Sequence, residues 1–372
     1  MSWLTDCVHT DCRHYIGEKP CKFKEFCPKC VHYDPMGKRI LIIKLGAAGD
    51  ALRTTPILRT FRELHGRCHV TWVTDQISYP LLQNNSLIDK LLILDYKTAL
   101  YLAPQKFDIV YSVDKEPHAL GLAMQVNSDL KLGFRLTEQG TMSVFNDEGA
   151  YPLWLGLSDP LKFKRNARTY QDVTFEMLRL PWKEQRYILE PTAEERAAAR
   201  DKLAEIGGNN KPLIGLNTGA GPVFATKKWD EEKYVELARL LKENLDCTVL
   251  IMGGPAERER NDRVLAELGD LAVDAGCNNP LRVFAAMIAE LDCLVTVDTM
   301  AMHLALAAEI PVVALFGPTA HAEVTMYGKG EKLIGVADCA PCYKAVCKEA
   351  SPYVCMKSIE VQQVYEAVRR WL

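Results

Sequence analysis

Arg39-Ile40-Leu41-Ile42-Ile43-Lys44-Leu45, followed at once by Gly46-Ala47-Ala48-Gly49-Asp50, is where the texture of the chain changes. A near-continuous apolar run marks a parallel strand buried on both faces. The glycines turn the chain, and residues 51–64 carry apolar side chains at helical spacing, with Pro56 placed to kink them. The same plan recurs on either side of the middle. Residues 69–73, 90–94 and 107–113 read as strands and 79–83 as a short helix; 135–185, with Pro152, Pro160 and Pro181, reads as a connection. A second series places strands at 212–217, 248–252, 293–297 and 312–316, and helices at 193–206, 230–244, 281–289, 302–308 and 360–372. Alternation of this kind argues for parallel α/β sheets. At 372 residues the chain has room for two such domains. The expected division is a Cys-rich segment 1–36, a Rossmann-like domain 37–185, a second Rossmann-like domain 186–357 and a terminal helix 358–372. The two domains would face each other across a central cleft.

Composition excludes several classes. Hydrophobic residues make up 48%, so two ordinary cores can be filled. A net charge of -3 without a basic stripe argues against a nucleic-acid partner. No apolar run reaches the roughly 20 residues that span a bilayer, and MSWLTDCVHTDCRHY lacks the apolar core of a signal peptide. The cytoplasm is the expected compartment, with peripheral contact at the inner face of the inner membrane left open.

Nine of the 13 cysteines sit in two groups: Cys7, Cys12, Cys21, Cys27 and Cys30, and then Cys339, Cys342, Cys347 and Cys355. Clustered thiols in a cytosolic chain point to metal, here structural zinc or iron. The expected ligands are Cys12, Cys21, Cys27 and Cys30 in a small N-terminal knuckle, with Cys7, His14 or His32 as substitutes, and all four C-terminal cysteines. The other reading is unligated thiols. Cys68, Cys247, Cys277 and Cys293 lie in apolar stretches and read as core.

Open parallel sheets bind ligands beyond the carboxyl ends of their strands. Four turns there carry polar residues. Asp50 is either a helix cap or a carboxylate able to take a proton from an attacking hydroxyl. Asn217-Thr218-Gly219-Ala220-Gly221, with Lys227-Lys228-Trp229 just downstream, is either a solvated loop or an amide-and-lysine cradle for a diphosphate. Glu257, after Gly253-Gly254-Pro255, either starts a helix or holds ribose hydroxyls. Asp298, Thr299 and His303 share one strand end and one helical turn, a polar group in place of a solitary core histidine.

These four stretches, in this order, resemble glycosyltransferase family 9, the ADP-heptose:lipopolysaccharide heptosyltransferases. RILIIKLGAAGDALRTTPILRTFREL is similar to the family's first strand, turn and helix; KFDIVYSVD and VTVDTMAMHLALAAEIPVVALFGPT are similar to later segments. The resemblance implies a GT-B fold and inverting transfer of a heptose or related sugar from an ADP-linked donor to a lipopolysaccharide inner-core hydroxyl, without a catalytic metal. A protein acceptor is the variant of that reading. It further implies Asp50 as the base, Lys227 on the donor diphosphate with Thr218, Gly219 and Gly221 assisting, Glu257 on the ribose, and Asp298, Thr299 and His303 around the donor sugar and phosphates. Met300 stands where the family usually has Gly, a departure that bears on which sugar is carried. Oligomerisation stays open. Two readings of other classes compete. One is an NAD-dependent oxidoreductase with Asp75 as its ribose acid, although Gly46-x2-Gly49 lacks the full dinucleotide fingerprint. The other is a metal-centred redox or scaffold protein.

Overall fold

The computed structural model describes residues 8–208, 212–221 and 224–372; Cys7 lies outside them. The opening apolar run forms β1 (Lys38–Ile43), its last four residues buried. Two helices follow where one was expected, α1 (Ala48–Thr54) and α2 (Ile57–His65). The break falls at Thr55-Pro56, because proline has no N–H to give the preceding turn. The first lobe continues with β2 (Cys68–Thr74), α3 (Tyr79–Leu82), β3 (Lys90–Ile93), α4 (Tyr96–Leu102), β4 (Lys106–Ser112), α5 (Pro117–Gln125), β5 (Asn127–Leu136), β6 (Met142–Val144), α6 (Ala150–Leu157) and α7 (Tyr170–Met177). The stretch read as a loose connection is therefore built. β6 pairs antiparallel with β5, and a π-helical turn, Pro160–Arg165, joins α6 to α7.

The second lobe begins with α8 (Ala193–Glu205), where Thr192 and Glu195 satisfy each other's backbone amides in a capping box. It runs on through β7 (Leu213–Asn217), α9 (Glu231–Asn244), β8 (Thr248–Met252), α10 (Arg258–Leu268), β9 (Val273–Asp274), α11 (Leu281–Ala289), β10 (Cys293–Val297), α12 (Met300–Ala307), β11 (Val312–Phe316), β12 (Gly330–Ile334), α13 (Val354–Lys357) and α14 (Val361–Trp371).

The sheets are ordered β3-β2-β1-β4-β5-β6 and β12-β11-β10-β7-β8-β9. Counted within each lobe the order is the same, with the first strand beside the fourth. The strands stay parallel at β1/β4 and β7/β10, but the order in which they are added to the sheet reverses there, and such switch points open a crevice for ligands. The fold is GT-B: two Rossmann-like units face one cleft. Arg282 of α11 fastens them. Its buried guanidinium donates to Pro80 O (2.8 Å) and Glu190 O (2.6 Å) and pairs with Glu195 (2.6 Å). Among the described residues, no helix is long and apolar enough to cross a membrane.

The expected thiol sites are not assembled. Among the described residues, no three His, Cys, Asp or Glu side chains gather into a group that could hold a metal ion. In the N-terminal segment, Cys12 is buried at a bridge to Pro35, and Cys30 Sγ accepts the His32 amide. Arg13 holds this segment in place, pairing with Asp34 and Asp89 and donating to Cys68 O. In the C-terminal group, burial pushes the Cys355 thiol up, and Cys339, Cys342 and Cys347 add to it. Burial likewise raises Cys339. Cys68, Cys247, Cys277 and Cys293 are buried, as their apolar settings led us to expect.

Candidate functional site

Lys44 is the buried charge of the opening apolar run. Its partner lies 70 residues on. Asp114, just beyond β4, accepts from Lys44 Nζ (3.1 Å) and from the Leu45 amide (2.8 Å) through the same oxygen. Lys44 also donates to Gly46 O. Burial opposes ionisation of Asp114, but Lys44 and the amides of Glu116 and Leu45 outweigh it and hold the carboxyl below its usual range. This buried pair locks the β1/β4 switch point and fixes the turn leading to Asp50.

That turn is tight for a reason at each glycine. A Cβ on Gly46 would lie 2.7 Å from Asp75 Oδ2, and one on Gly49 would lie 2.8 Å from His303 Cδ2 of the opposite lobe. Glycine allows both approaches. Asp75 is engaged with the Ser78 amide (2.6 Å), and this local bond accounts for the acid that the oxidoreductase reading needed for ribose.

The cleft between the lobes encloses about 1260 Å³. Asp50, Gly219, Gly221, Lys227, Glu257, Asp298, Thr299 and His303 all line it, as does Met300. Thr218 does not. It is fully buried, and its hydroxyl donates to Asn261 inside the second lobe. The residue type suited a phosphate, but the side chain faces the core.

Asp50 lies in the first turn of α1 with its side chain 42% exposed. Arg53, one turn on, brings Nε to 3.6 Å from it and a terminal nitrogen to 3.9 Å from Glu323 of the second lobe. Its guanidinium stacks 3.8 Å from the Tyr170 ring centroid. Burial works most strongly against the Arg53 charge, and Asp50, Tyr187, Tyr170 and Glu323 together offset it and hold the guanidinium above its usual range. Neither carboxylate is within hydrogen-bond distance, so Arg53 Nε is buried without a hydrogen bond.

In the second lobe the turn Ala225–Lys227 delivers Lys227, whose Nζ donates to Asp298 O (3.0 Å) and lies 3.4 Å from Asp298 Oδ2. Burial opposes the Asp298 charge most strongly, but Lys227, with His303, Thr319 and Arg53 behind it, outweighs burial and keeps the carboxyl below its usual range. His303 behaves oppositely. Burial first, then Arg53, depresses it to about 4. It is therefore a neutral ring at pH 7 and no cation for an anionic ligand. Its Nδ1 is buried and unbonded. Glu257 divides its two oxygens. Oε2 accepts the Gly254 amide (3.1 Å), which is the capping role, and also lies beside Gly219, while Oε1 is buried and unbonded. Buried polar atoms are nearly always paired. Arg53 Nε, His303 Nδ1 and Glu257 Oε1 are buried without a hydrogen-bond partner, and the three residues, drawn from both lobes, line the same cleft.

Sequence reading missed Arg53, Asp114, Glu323 and Tyr343 in this lining. A signal existed for Asp114, since a lysine in a buried strand demands a carboxylate at a neighbouring strand end. Glu323 and Tyr343 sit in loops and carried none.

Comparison with known proteins follows this geometry. A family model described as Glycosyltransferase family 9 (heptosyltransferase) matches residues 104–352. The chain is 33% identical over 162 residues to lipopolysaccharide heptosyltransferase 1 of Pseudomonas aeruginosa, covering 43% of this chain and 44% of that protein. It is 29% identical over 170 residues to lipooligosaccharide heptosyltransferase 2 of Campylobacter jejuni, covering 44% and 52%. The chain thus spans about half the length of these curated relatives it matches. A glycosyl transferase family 9 structure from Veillonella parvula superposes with a TM-score of 0.72 at 22% identity, covering 90% of this chain and 97% of that one. Escherichia coli ADP-heptose lps heptosyltransferase II gives 0.64 at 18%, covering 90% and 98%. At these identities the two structures establish the shared fold.

Proposed function

This chain belongs to glycosyltransferase family 9, and on that premise we propose that it transfers a heptose or related sugar from an ADP-linked donor to a sugar hydroxyl of a lipopolysaccharide core, with inversion. One observation carries the proposal: a carboxylate from the first lobe, Asp50, and a cation from the second, Lys227, line a single cleft. In one displacement, Asp50 takes the proton of the acceptor hydroxyl while its oxygen bonds to the anomeric carbon. The bond from that carbon to the diphosphate breaks, and ADP leaves. A hydroxyl is a poor nucleophile until a base takes its proton.

The leaving diphosphate gathers negative charge where Lys227, the Gly219 and Gly221 backbone and the start of α12 meet it. Lys227 rests on Asp298 in the free protein, and a diphosphate outcompetes a single carboxylate for that ammonium. His303, being neutral, supplies a hydrogen bond instead of charge. The free Glu257 oxygen suits a ribose hydroxyl. Met300 lines the donor side and narrows the room for the sugar. The deciding measurement is a donor panel. ADP-heptose should be consumed at least about tenfold faster than UDP- or GDP-sugars. Equal rates with all of them, or no transfer from ADP-heptose to any core acceptor, would remove the proposal.

We also place the acceptor lobe against an anionic membrane surface. Trp154 and Leu157, three residues apart on α6, are 55% and 74% exposed, beside Pro152, Leu155 and Gly156 on the cleft wall. Residues 150–167 carry Lys162, Lys164 and Arg165 against Asp159 alone, in a chain of net charge -3, while Arg168 next to them is paired with Asp172 and Glu176. Exposed tryptophan with leucine and local basic charge suits a lipid interface, each basic residue adding about 1 kcal/mol near such a surface. Vesicles containing phosphatidylglycerol are expected to bind the protein, and Trp154→Ala with Leu157→Ser to weaken that binding about tenfold. Equal binding by the double variant would dismiss this face.

A further inference from the structure

The C-terminal cysteine loop is a motif that the transfer chemistry leaves without a task. Residues 338–347 reach across to the first lobe. Lys164 Nζ donates to Ala340 O (2.6 Å) and Asp338 O (3.4 Å). Between the cysteines of this loop stands Tyr343, and its ring joins the lobes. It stacks on Phe163 of the acceptor lobe, with centroids 5.7 Å apart and planes 18° apart. On its other side it meets Phe224 at 4.7 Å. Phe224 immediately precedes the turn Ala225–Lys227. Lys227 Nζ lies 5.2 Å from the Phe224 centroid, and Thr226 donates to Lys344 O (2.8 Å). Through its successive residues Tyr343 and Lys344, the loop therefore supports the short turn that carries Lys227, at Phe224 just before it and at Thr226 within it.

Tyr343 also lines the cleft, and its backbone adopts φ of 52°, a region bulky side chains rarely enter. The Cys342 and Tyr343 amides both donate to Pro318 O, at 3.0 Å and 2.7 Å, and hold it there. Strain kept at a cleft, and over-determined by its surroundings, points to a task for the residue.

We propose that Tyr343 is a positioning residue of the donor site: its ring, wedged between Phe163 and Phe224, sets where Lys227 can place its ammonium, and the cysteine loop is thereby part of the transfer machinery. The proposal rests on Lys227 being the diphosphate ligand. Each aromatic contact of this kind is worth about two- to twelvefold in an equilibrium, so losing both should be felt at the ligand. Among the described residues the Tyr343 hydroxyl makes no hydrogen bond, so the ring carries the effect.

The test is ADP binding to the full chain by calorimetry, which needs no turnover. Tyr343→Ala is expected to raise the ADP Kd about tenfold, and Tyr343→Phe to return it to within about twofold of the wild type. Phe224→Leu, which leaves the loop backbone untouched, should weaken ADP binding in the same direction. In transfer assays Tyr343→Ala should raise the donor KM while leaving the acceptor KM in place. If Lys227→Ala weakens ADP binding but Tyr343→Ala and Phe224→Leu bind ADP as the wild type does, the positioning role is overturned and the diphosphate assignment stands. If Lys227→Ala itself binds ADP normally, the assignment beneath both fails.

Discussion

Asp50→Ala is expected to lower kcat for sugar transfer by about 10²–10⁴-fold, the span that a positioned general base supplies, while the ADP Kd stays within about twofold. The asymmetry follows from where Asp50 sits. It belongs to the first lobe, and its side chain is 42% exposed into the cleft, so removing it deletes no buried hydrogen bond. Its structural contribution is that of an acid in the first turn of a helix, about 0.3–1 kcal/mol, together with its attraction to the buried Arg53 guanidinium, which Glu323 and Tyr170 share. A fall in kcat of several decades could not come from so small a loss of stability. Arg53 sharpens the comparison. Without Asp50 its buried guanidinium keeps Glu323 at 3.9 Å as the remaining carboxylate, so the α1 helix should stay in place and the thermal midpoint should move by only a few degrees. Asp50→Asn should be as inactive as the alanine variant, because an amide cannot take the proton. Rates within tenfold of the wild type in both variants would take the base role from Asp50, and Glu323 would be the next carboxylate to test.

Much of this site could be read from local pattern, and the unread part has a common cause. Near-continuous apolar runs placed β1, β7, β8, β10 and β11 because strands buried on both faces have few other compositions. The polar residues at their ends followed from the rule for open sheets. What escaped depends on pairs remote in the chain. Gly46 and Gly49 looked like a generic turn, yet one is required by Asp75 and the other by a histidine 254 positions away (303 against 49) in the second lobe. Lys44 needs Asp114, and Arg53 faces a carboxylate of the other lobe. Thr218 shows the converse. Its residue type and position fitted a phosphate, but Asn261 captured the hydroxyl. For the cysteines, spacing suggested two metal sites, and among the described residues no ligand group gathers to hold one. In the fold, the N-terminal set is held by Arg13, and the C-terminal loop serves as a bridge between lobes.

Lys227→Ala should lower kcat/KM for the donor by about 10²–10³-fold, the cost of removing one preorganised partner of a developing oxyanion. Unlike Asp50→Ala, it should also weaken ADP binding, because Lys227 acts on the donor before and during bond breaking. A second effect compounds the first. Lys227 is the cation that holds the buried Asp298 carboxyl ionised. Stripped of it, Asp298 either stays charged and repels the diphosphate or takes up a proton at a cost in pH-dependent binding. Truncating one partner of a buried charge pair costs about 2–5 kcal/mol, much of it from the charge left behind. The two contributions separate in a double-mutant cycle. Lys227→Ala with Asp298→Asn should bind ADP about tenfold more tightly than Lys227→Ala alone, since the stranded charge is gone, yet should stay well below the wild type, since no cation has replaced the lysine. Lys227→Arg should recover only part of the loss, because a planar guanidinium does not reproduce the point charge that rests on the Asp298 carbonyl. Strict additivity of the two single variants would show that Asp298 plays no part in how Lys227 meets the donor, and an unchanged ADP affinity in Lys227→Ala would place the diphosphate elsewhere in the cleft.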